Sequence, residues 1–331
     1  MRRALALAVM ALLAACSEGA AGSGPPATAP EARTQQGMAW LNESGNVRVV
    51  RGHHPIDKPR VPQGAVFDLR SWSFHGRSGY PLTFGEDWSP VSRVVTVGGS
   101  VSSTLPDRSW NYLYHVNRQD GDGIRVVTND WTATYGLTLH NVWDGYNPTV
   151  EEGSEPGTKA RFLLSGCYFK WIHDDAVEND SLMSGTVRDC LFDDIFVGFS
   201  EAPSDGYDYT NHGSVLKVRD VIARFSPSIY DGRSGTGMLF KWDDAAGSVD
   251  MRRSVFLFED NTNQEQGSQR FPRGTYKDVT IVLGPGFKGS WPEPLPPGVK
   301  VTRDMSIFTS ARDAWLDRHG VTGQATPPGR R

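Results

Sequence analysis

Two short stretches of the chain read Leu164-Ser165-Gly166-Cys167 and Val187-Arg188-Asp189-Cys190, an apolar residue followed by a polar turn and a cysteine. Three more stretches fit the same frame: Leu139-His140-Asn141-Val142, Val218-Arg219-Asp220-Val221 and Met251-Arg252-Arg253-Ser254. The intervals between successive stretches are 25, 23, 31 and 33 residues. Repeats of this length, with apolar residues at every second position, predict a solenoid in which each repeat is one strand-rich coil.

The N-terminus predicts export from the cytoplasm. Met1-Arg2-Arg3 precedes an apolar run that is too short to span a bilayer, as expected of a secretory signal. The run ends Leu13-Ala14-Ala15-Cys16, which resembles the bacterial lipobox and implies that Cys16 is lipidated; plain cleavage after a small residue is the alternative. Because Ser17 follows, the resemblance implies anchoring in the cell envelope, at the outer membrane on its periplasmic or surface face.

The predicted fold class is all-β. We expect a single-stranded right-handed parallel β-helix of about eight to ten coils, with an N-terminal cap and a short C-terminal helix. The predicted segments are a lipoprotein signal peptide at 1–15, a flexible Ala/Gly/Pro tether at 16–36, an N-terminal cap at 37–65, the β-helix at 66–308, and a C-terminal helix and tail at 309–331. Trp40 and Leu41 are expected to plug the open end, Thr309 or Ser310 to cap the final helix, and Gly320 to end it.

The net charge limits the expected binding partners, and the spacing of the cysteines limits their expected pairing. The net charge of −4 over 331 residues gives no basis for nucleic-acid binding, and we expect a monomer that meets the membrane through its N-terminal lipid. Cys167 and Cys190 occupy the same position of adjacent repeats, about 4.8 Å apart if the strands are parallel. Either a pair of stacked thiols or a disulfide is compatible with that spacing.

The densest group of acids is the run His173-Asp174-Asp175-Ala176-Val177-Glu178-Asn179-Asp180. Carboxylates on neighbouring coils can approach to about 5 Å, which suits both glycoside hydrolysis and a shared calcium ion. The candidate catalytic residues are Lys170, His173, Asp174, Asp175, Glu178, Asp193 and Asp194. Candidate substrate-binding residues are Asp144, Lys241, Trp242 and Arg233, and the candidate calcium ligands are Asp174, Asp175 and Asp194.

The acidic run and the stretch Asp189-Cys190-Leu191-Phe192-Asp193 resemble an uncharacterised bacterial lipoprotein group within the pectin-lyase-like superfamily of right-handed β-helices. The resemblance covers roughly residues 60–310 and implies a carbohydrate partner, because the superfamily includes polysaccharide lyases and polygalacturonase-like hydrolases. Of the hydrolase motifs, only the Asp-Asp pair is matched, by Asp174-Asp175.

Two functions from different classes follow. The leading one is a lipid-anchored envelope protein that binds an acidic polysaccharide and, in its enzymatic version, cleaves it as a lyase with Lys170 or His173 as base; a β-helix glycoside hydrolase is a further alternative. The competing one is a non-catalytic surface adhesin or scaffold. Insertions at 200–214, which contains His212, and at 228–237 are expected to wall the site.

Overall fold

The structure is a computed structural model that describes residues 31–56, 61, 63–77, 79–106, 109–117, 121–151, 159–203, 213–244, 246–263 and 269–321. The three helices of this part of the chain are α1 (Glu31–Glu43), α2 (Trp110–Asn117) and α3 (Met305–His319). The signal segment and Cys16 lie outside the described residues.

The strands are β1 (Val47–Gly52), β2 (Val66–Gly76), β3 (Leu82–Phe84), β4 (Val94–Val97), β5 (Ser100–Ser103), β6 (Ile124–Val127), β7 (Trp131–Tyr135), β8 (Thr138–Val142), β9 (Tyr146–Thr149), β10 (Arg161–Ser165), β11 (Tyr168–Glu178), β12 (Ser184–Arg188), β13 (Leu191–Glu201), β14 (Val215–Arg219), β15 (Ile222–Phe225), β16 (Ser228–Tyr230), β17 (Arg233–Gly235), β18 (Phe240–Trp242), β19 (Ser248–Arg252), β20 (Val255–Phe258), β21 (Gly274–Lys277), β22 (Val279–Leu283) and β23 (Val299–Thr302).

Parallel pairing between coils builds three ladders. The first ladder runs β1-β2-β4-β7-β10-β12-β14-β19-β21. The second runs β2-β5-β8-β11-β13-β15-β20-β22-β23. The third runs β3-β6-β9-β11-β13-β18, because β11 and β13 are long enough to bend from the second ladder into the third. The predicted all-β solenoid of parallel strands with a short C-terminal helix is confirmed, and the first strand, β1, lies inside the segment predicted as the cap.

The corner between the first and second ladders is a left-handed residue in most coils. Its members are Gly98, Gly136, Gly166, Asp189, Asp220, Arg253 and Asp278, with φ between 49° and 78°. Glycine adopts this conformation freely, and aspartate tolerates it better than most side chains do. The polar turn of the sequence pattern is therefore the point at which each coil changes direction.

The apolar residue that begins each pattern faces the core. Four of the five stack in register and are fully buried: Leu164, Val187, Val218 and Met251. The fifth assignment is wrong, because Leu139 lies in the second ladder and Thr134 is the residue that pairs with Leu164. The Thr134 hydroxyl lies 3.0 Å from that of Thr96, so a buried polar pair replaces the expected apolar contact.

Cys167 and Cys190 are stacked neighbours at the start of the second ladder. Tyr168 pairs with Leu191, which places the preceding cysteines side by side in adjacent coils. Both thiols are free and fully buried. The stacked-thiol alternative is the one that this structure contains.

Helix α3 folds back along the outside of the second ladder. Trp315 is fully buried there, in a cluster with Tyr168 and Leu191. The helix begins four residues before the predicted start and its N-cap is Asp304, whose side chain accepts a hydrogen bond from the Ser306 amide, so the predicted Thr309 or Ser310 cap is wrong. Gly320 ends the helix in a left-handed conformation, as predicted.

Helix α1 covers the outer face of the first ladder. It begins at Glu31, inside the segment predicted as the tether. Trp40 donates a hydrogen bond to the Tyr135 hydroxyl at 3.2 Å, and Leu41 packs in the same outer cluster, so these residues lie on the side of the solenoid and not over its end. None of the helices in the described part of the chain is both long and apolar enough to cross a membrane.

Candidate functional site

The outer face of the third ladder carries one polar side chain per strand. In order along the solenoid these are Thr83, Arg125, Asn147, Glu178, Ser200 and Lys241, which we call the polar row. The residue before each of them, such as Val177, is buried in the core. Alternation along a strand therefore turns the whole row away from the core, where Thr83 and Ser200 are covered and the other four side chains are partly exposed.

Three carboxylates meet beside the middle of the polar row. One oxygen each from Asp144, Asp175 and Glu178 lies within 4.8 Å of the other two; we call this group the carboxylate triad. Asp175 and Glu178 belong to β11, and Asp144 precedes β9 of the previous coil. The backbone holds them together, because the Asp175 amide donates to Asp144 Oδ1 at 3.1 Å.

Asp175 is the most deeply buried member of the triad. Only 1% of its side chain is exposed, and its Oδ2 accepts from Lys241 Nζ at 2.9 Å. Its Oδ1 accepts no hydrogen bond from any residue that the structure describes. A buried carboxylate oxygen without a donor costs free energy on the order of 1–3 kcal/mol, so this atom is a place where a cation or donor would bind favourably.

Glu178 is partly exposed and lies among polar neighbours. Its Oε2 accepts from the Tyr80 hydroxyl at 3.2 Å and from the Asn147 amide. Burial, together with the charges of Asp180 and Asp175, raises the pKa of Glu178 to about 7. Burial also raises the pKa of Tyr80 well above its usual value, so Tyr80 acts as a hydrogen-bond donor at neutral pH.

Burial and the neighbouring carboxylates raise the pKa values of two further acids in and beside the triad. Burial, with the charge of Glu178 next in size, raises the pKa of Asp144 well above its usual range. Burial and the neighbouring Asp175 raise the pKa of Asp174 to about 8, against the opposing effects of Lys241 and the Trp110 indole. The cluster therefore carries more acids than the Lys241 ammonium can balance when all are ionised.

Two insertions wall the site on the side of Asp174. Helix α2 leaves the solenoid between β5 and β6, and the antiparallel hairpin β16–β17 leaves it between β15 and β18. They meet through reciprocal hydrogen bonds of 2.7 Å between Asn111 and Asp231. Trp110 packs its ring 4.8 Å from Tyr230 and 5.3 Å from Trp143, so an aromatic bridge spans the coils between them.

Of the two insertions predicted to wall the site, the structure describes the second in full and the first only in part. Residues 228–237 form the hairpin, whereas residues 204–212, including His212, lie outside the described part of the chain.

Several predicted catalytic residues lie elsewhere. Lys170 pairs with Asp193 in the second ladder, and both are buried. Asp193 forms ion pairs with Arg224 at 2.6 Å and with Arg312 of α3 at 3.2 Å, which ties the C-terminal helix to the solenoid. Asp194 lies three residues before Val197, the partner of Asp175, and it is not one of the three carboxylates that converge. The predicted calcium ligands are therefore not the three that come together.

The remaining candidates have packing roles or lie in the wall. His173 is buried, with its Nε2 2.6 Å from Asn141 Oδ1. Trp242 packs edge-on to Phe240 at 5.5 Å, and Arg233 is exposed in β17.

Sequence reasoning missed three neighbours of the triad: Tyr80, Asn147 and Asp122. Tyr80 and Asn147 contact Glu178 directly, and Asp122 Oδ1 accepts from the Asp144 amide at 3.4 Å. Asn147 could have been found by placing β9 one coil before the acidic run. Tyr80 gives no such signal, because it lies outside the strands, two residues before β3.

The triad fits a hard divalent cation. Calcium binds oxygen at 2.3–2.6 Å, so two oxygens that share one ion lie at most about 5 Å apart, which the triad satisfies. Asp175 Oδ1, which accepts no hydrogen bond within the described part of the chain, and the excess of acids both favour a positive charge at this point. Comparison of the chain with family models, curated proteins and solved structures gave no match, so the resemblance to pectin-lyase-like proteins stays a prediction.

Proposed function

We propose that the protein binds an acidic polysaccharide through a divalent cation held by the carboxylate triad. The observation that carries this proposal is the convergence of three carboxylates within 4.8 Å, one of which has a buried oxygen that no described residue bonds as a donor. A bound Ca²⁺ would replace the protons that burial favours on Asp144 and Glu178, and it would give Asp175 Oδ1 a partner.

The cation leaves room for a substrate. Ca²⁺ takes six to eight oxygen ligands, and three carboxylates contribute three to six, so positions stay open for a carboxylate of a uronate polymer. Without a cation, the same acids would repel such a polymer. The polar row extends over six strands, or about 24 Å, and four of its six side chains, Arg125, Asn147, Glu178 and Lys241, are partly exposed to an extended chain.

Cleavage by a lyase reaction has weaker support from the geometry. The base would have to lie beside the bound uronate, and Lys170 and His173 lie with Asp193 and Asn141 instead. Lys241 is adjacent, but the charge of Asp175 raises its pKa well above the usual value, so it stays protonated and acts as a cation. We therefore propose binding as the function of the triad.

Glycoside hydrolysis is the second candidate because of Glu178. Its carboxyl keeps a proton up to about pH 7 and is partly exposed, as a general acid requires. Asp144 and Asp175 each have an oxygen within 4.8 Å of a Glu178 oxygen. This is compatible with the short separation of the two carboxyl groups in retaining glycosidases, about 5–5.5 Å. The effect of calcium distinguishes the two candidate functions. Polysaccharide binding through the triad requires calcium, whereas a calcium ion bound to Glu178 would prevent it from acting as the general acid.

Envelope anchoring through Cys16 completes the proposal. A tether of the length predicted would hold the solenoid close to a membrane, where cell-surface glycans are concentrated. This part rests on the lipobox resemblance alone.

The test measures binding and turnover together. Residues 31–331 are incubated with uronate polymers, with calcium or with chelator, while binding, absorbance at 235 nm and new reducing ends are recorded. Binding that requires calcium and is lost in Asp144→Asn/Asp175→Asn supports the proposal; Asp244→Asn, at a site that is 92% exposed, is the matched control. Reducing ends without calcium would favour hydrolysis, and no binding to any polymer would leave the scaffold function.

A further inference from the structure

The side chain of Trp88 is largely exposed to solvent. Among the described residues it is the most exposed large apolar side chain, at 67%. It lies at the tip of a tight turn between β3 and β4, where the Glu86 amide donates to the Ser89 carbonyl at 3.0 Å and the Ser89 amide returns the bond at 2.9 Å. The indole is thus presented by a hydrogen-bonded turn.

The turn is fixed to the N-terminal part of the polar row. Asp87, next to Trp88, pairs with Arg125 of the row at 2.5 Å. The Val91 amide donates to the Val127 carbonyl at 2.9 Å. Gly85 has a φ of +79°, and a Cβ at this position would lie only 2.7 Å from the Val127 oxygen, so only glycine fits there. Three contacts with β6 therefore fix the turn that carries the indole before any ligand arrives.

We propose that Trp88 is a sugar-binding platform that stacks on a ring of the same polysaccharide whose carboxylate meets the cation at the triad. This inference rests on the proposed function. Arg125 and Glu178 lie two strands apart in the polar row, so the turn is about 10 Å from the triad along the solenoid axis. The polymer then runs along the axis, across the strands, with Trp88 toward its N-terminal side.

A sugar fits this position better than a protein does. Protein interfaces bury a contiguous apolar core, whereas Trp88 shares its turn with Glu86, Asp87 and Ser89, and Asp87 pairs with Arg125. A single aromatic face among hydrogen-bonding groups matches a sugar ring, which has an apolar face and a polar rim. The fixed turn also limits the entropy lost on binding.

The experiment compares chain lengths in the presence of calcium. Polygalacturonate and its dimer are titrated into the wild-type protein, Trp88→Ala and Trp88→Phe. We expect Trp88→Ala to bind the polymer about tenfold more weakly and the dimer as the wild type does, because a dimer held at the triad does not reach the turn. Trp88→Phe should be intermediate, and Leu295→Ala, at an exposed apolar residue between β22 and β23, should bind as the wild type does.

The outcomes separate this inference from the proposed function. Unchanged polymer affinity in Trp88→Ala overturns the platform and leaves the cation site intact. Polymer binding that is lost in Trp88→Ala but survives Asp144→Asn/Asp175→Asn overturns the triad and keeps a sugar site at the turn. If the wild type binds neither ligand, both proposals are wrong for uronate polymers. Equal melting temperatures of the variants establish that each affinity change is local.

Discussion

Lys241 Nζ lies 2.9 Å from Asp175 Oδ2, although the strands that carry them are separated by β13. Lys241 pairs in register with Ser200, and Ser200 with Glu178, so the ammonium reaches past the small serine to the buried acid. This ion pair is the link between the triad and the C-terminal half of the polar row.

Removal of the ammonium should make the protein dependent on calcium. Lys241→Met leaves Asp175 buried without its counterion, and we expect a loss of about 1–3 kcal/mol, less than for a fully buried pair because 39% of the lysine side chain is exposed. Urea unfolding in chelator measures the loss. Calcium should restore stability more in the variant than in the wild type; an equal gain in both proteins would argue against a cation next to Asp175.

The raised pKa values predict the pH dependence of stability without calcium. Glu178 and Asp174 have pKa values of about 7 and about 8, above their ordinary values of 4.5 and 3.8. Between pH 5 and 8 the folded protein thus binds more protons than the unfolded chain, so stability falls as pH rises through this range. Melting temperatures in chelator should decrease from pH 5 to 8. A melting temperature that rises over the same interval would show that these acids are ionised in the fold.

The sequence predicts the coils well because corner residues and buried apolar residues recur with the strands. It fails at Leu139, where the inward position of that coil is filled by Thr134 and no apolar residue marks it. The sequence predicts the candidate site in part, because Asp175 and Glu178 come from one acidic run. The prediction also groups Asp193 with them. Asp193 lies 23 residues after Lys170, which is one coil, and it therefore pairs in register with Lys170 instead. A shift in register within β11, after Ile172, then moves the acidic run relative to β13, and no sequence pattern marks that irregularity.

Asp193 should therefore act on stability and not on binding. Asp193→Ala removes the acid that holds Arg224 and Arg312, and breaking such a buried network costs about 3–5 kcal/mol. Thermal unfolding should show a large decrease, while calcium-dependent polymer binding at a temperature where the variant is folded stays at the wild-type level. Asp244→Ala is the matched control, because Asp244 pairs with Arg270 on the exposed surface. Lost binding in a folded Asp193→Ala protein would place Asp193 back in the functional site.

The two internal cysteines should resist modification. Cys167 and Cys190 are fully buried, and burial raises the pKa of the Cys190 thiol, which disfavours the reactive thiolate. Alkylation of the native protein followed by mass spectrometry should leave both unmodified, and alkylation in denaturant should label both. Resistance in denaturant that disappears after reduction would mean that a disulfide forms despite the parallel side chains.

The wall over Asp174 should depend on the bonds between Asn111 and Asp231. These residues are 120 positions apart, and their two hydrogen bonds join α2 to the hairpin β16–β17. A double-mutant cycle with Asn111→Ala and Asp231→Ala should give a coupling energy of about 1 kcal/mol in urea unfolding. Because Trp110 adjoins both the hairpin and Asp174, loosening the link should admit water to that carboxyl and lower its pKa toward the ordinary value of 3.8. The pH-dependent loss of stability in chelator should then be smaller in the double variant. A coupling energy near zero with an unchanged pH profile would mean that each insertion holds its position independently, through its own contacts with the solenoid.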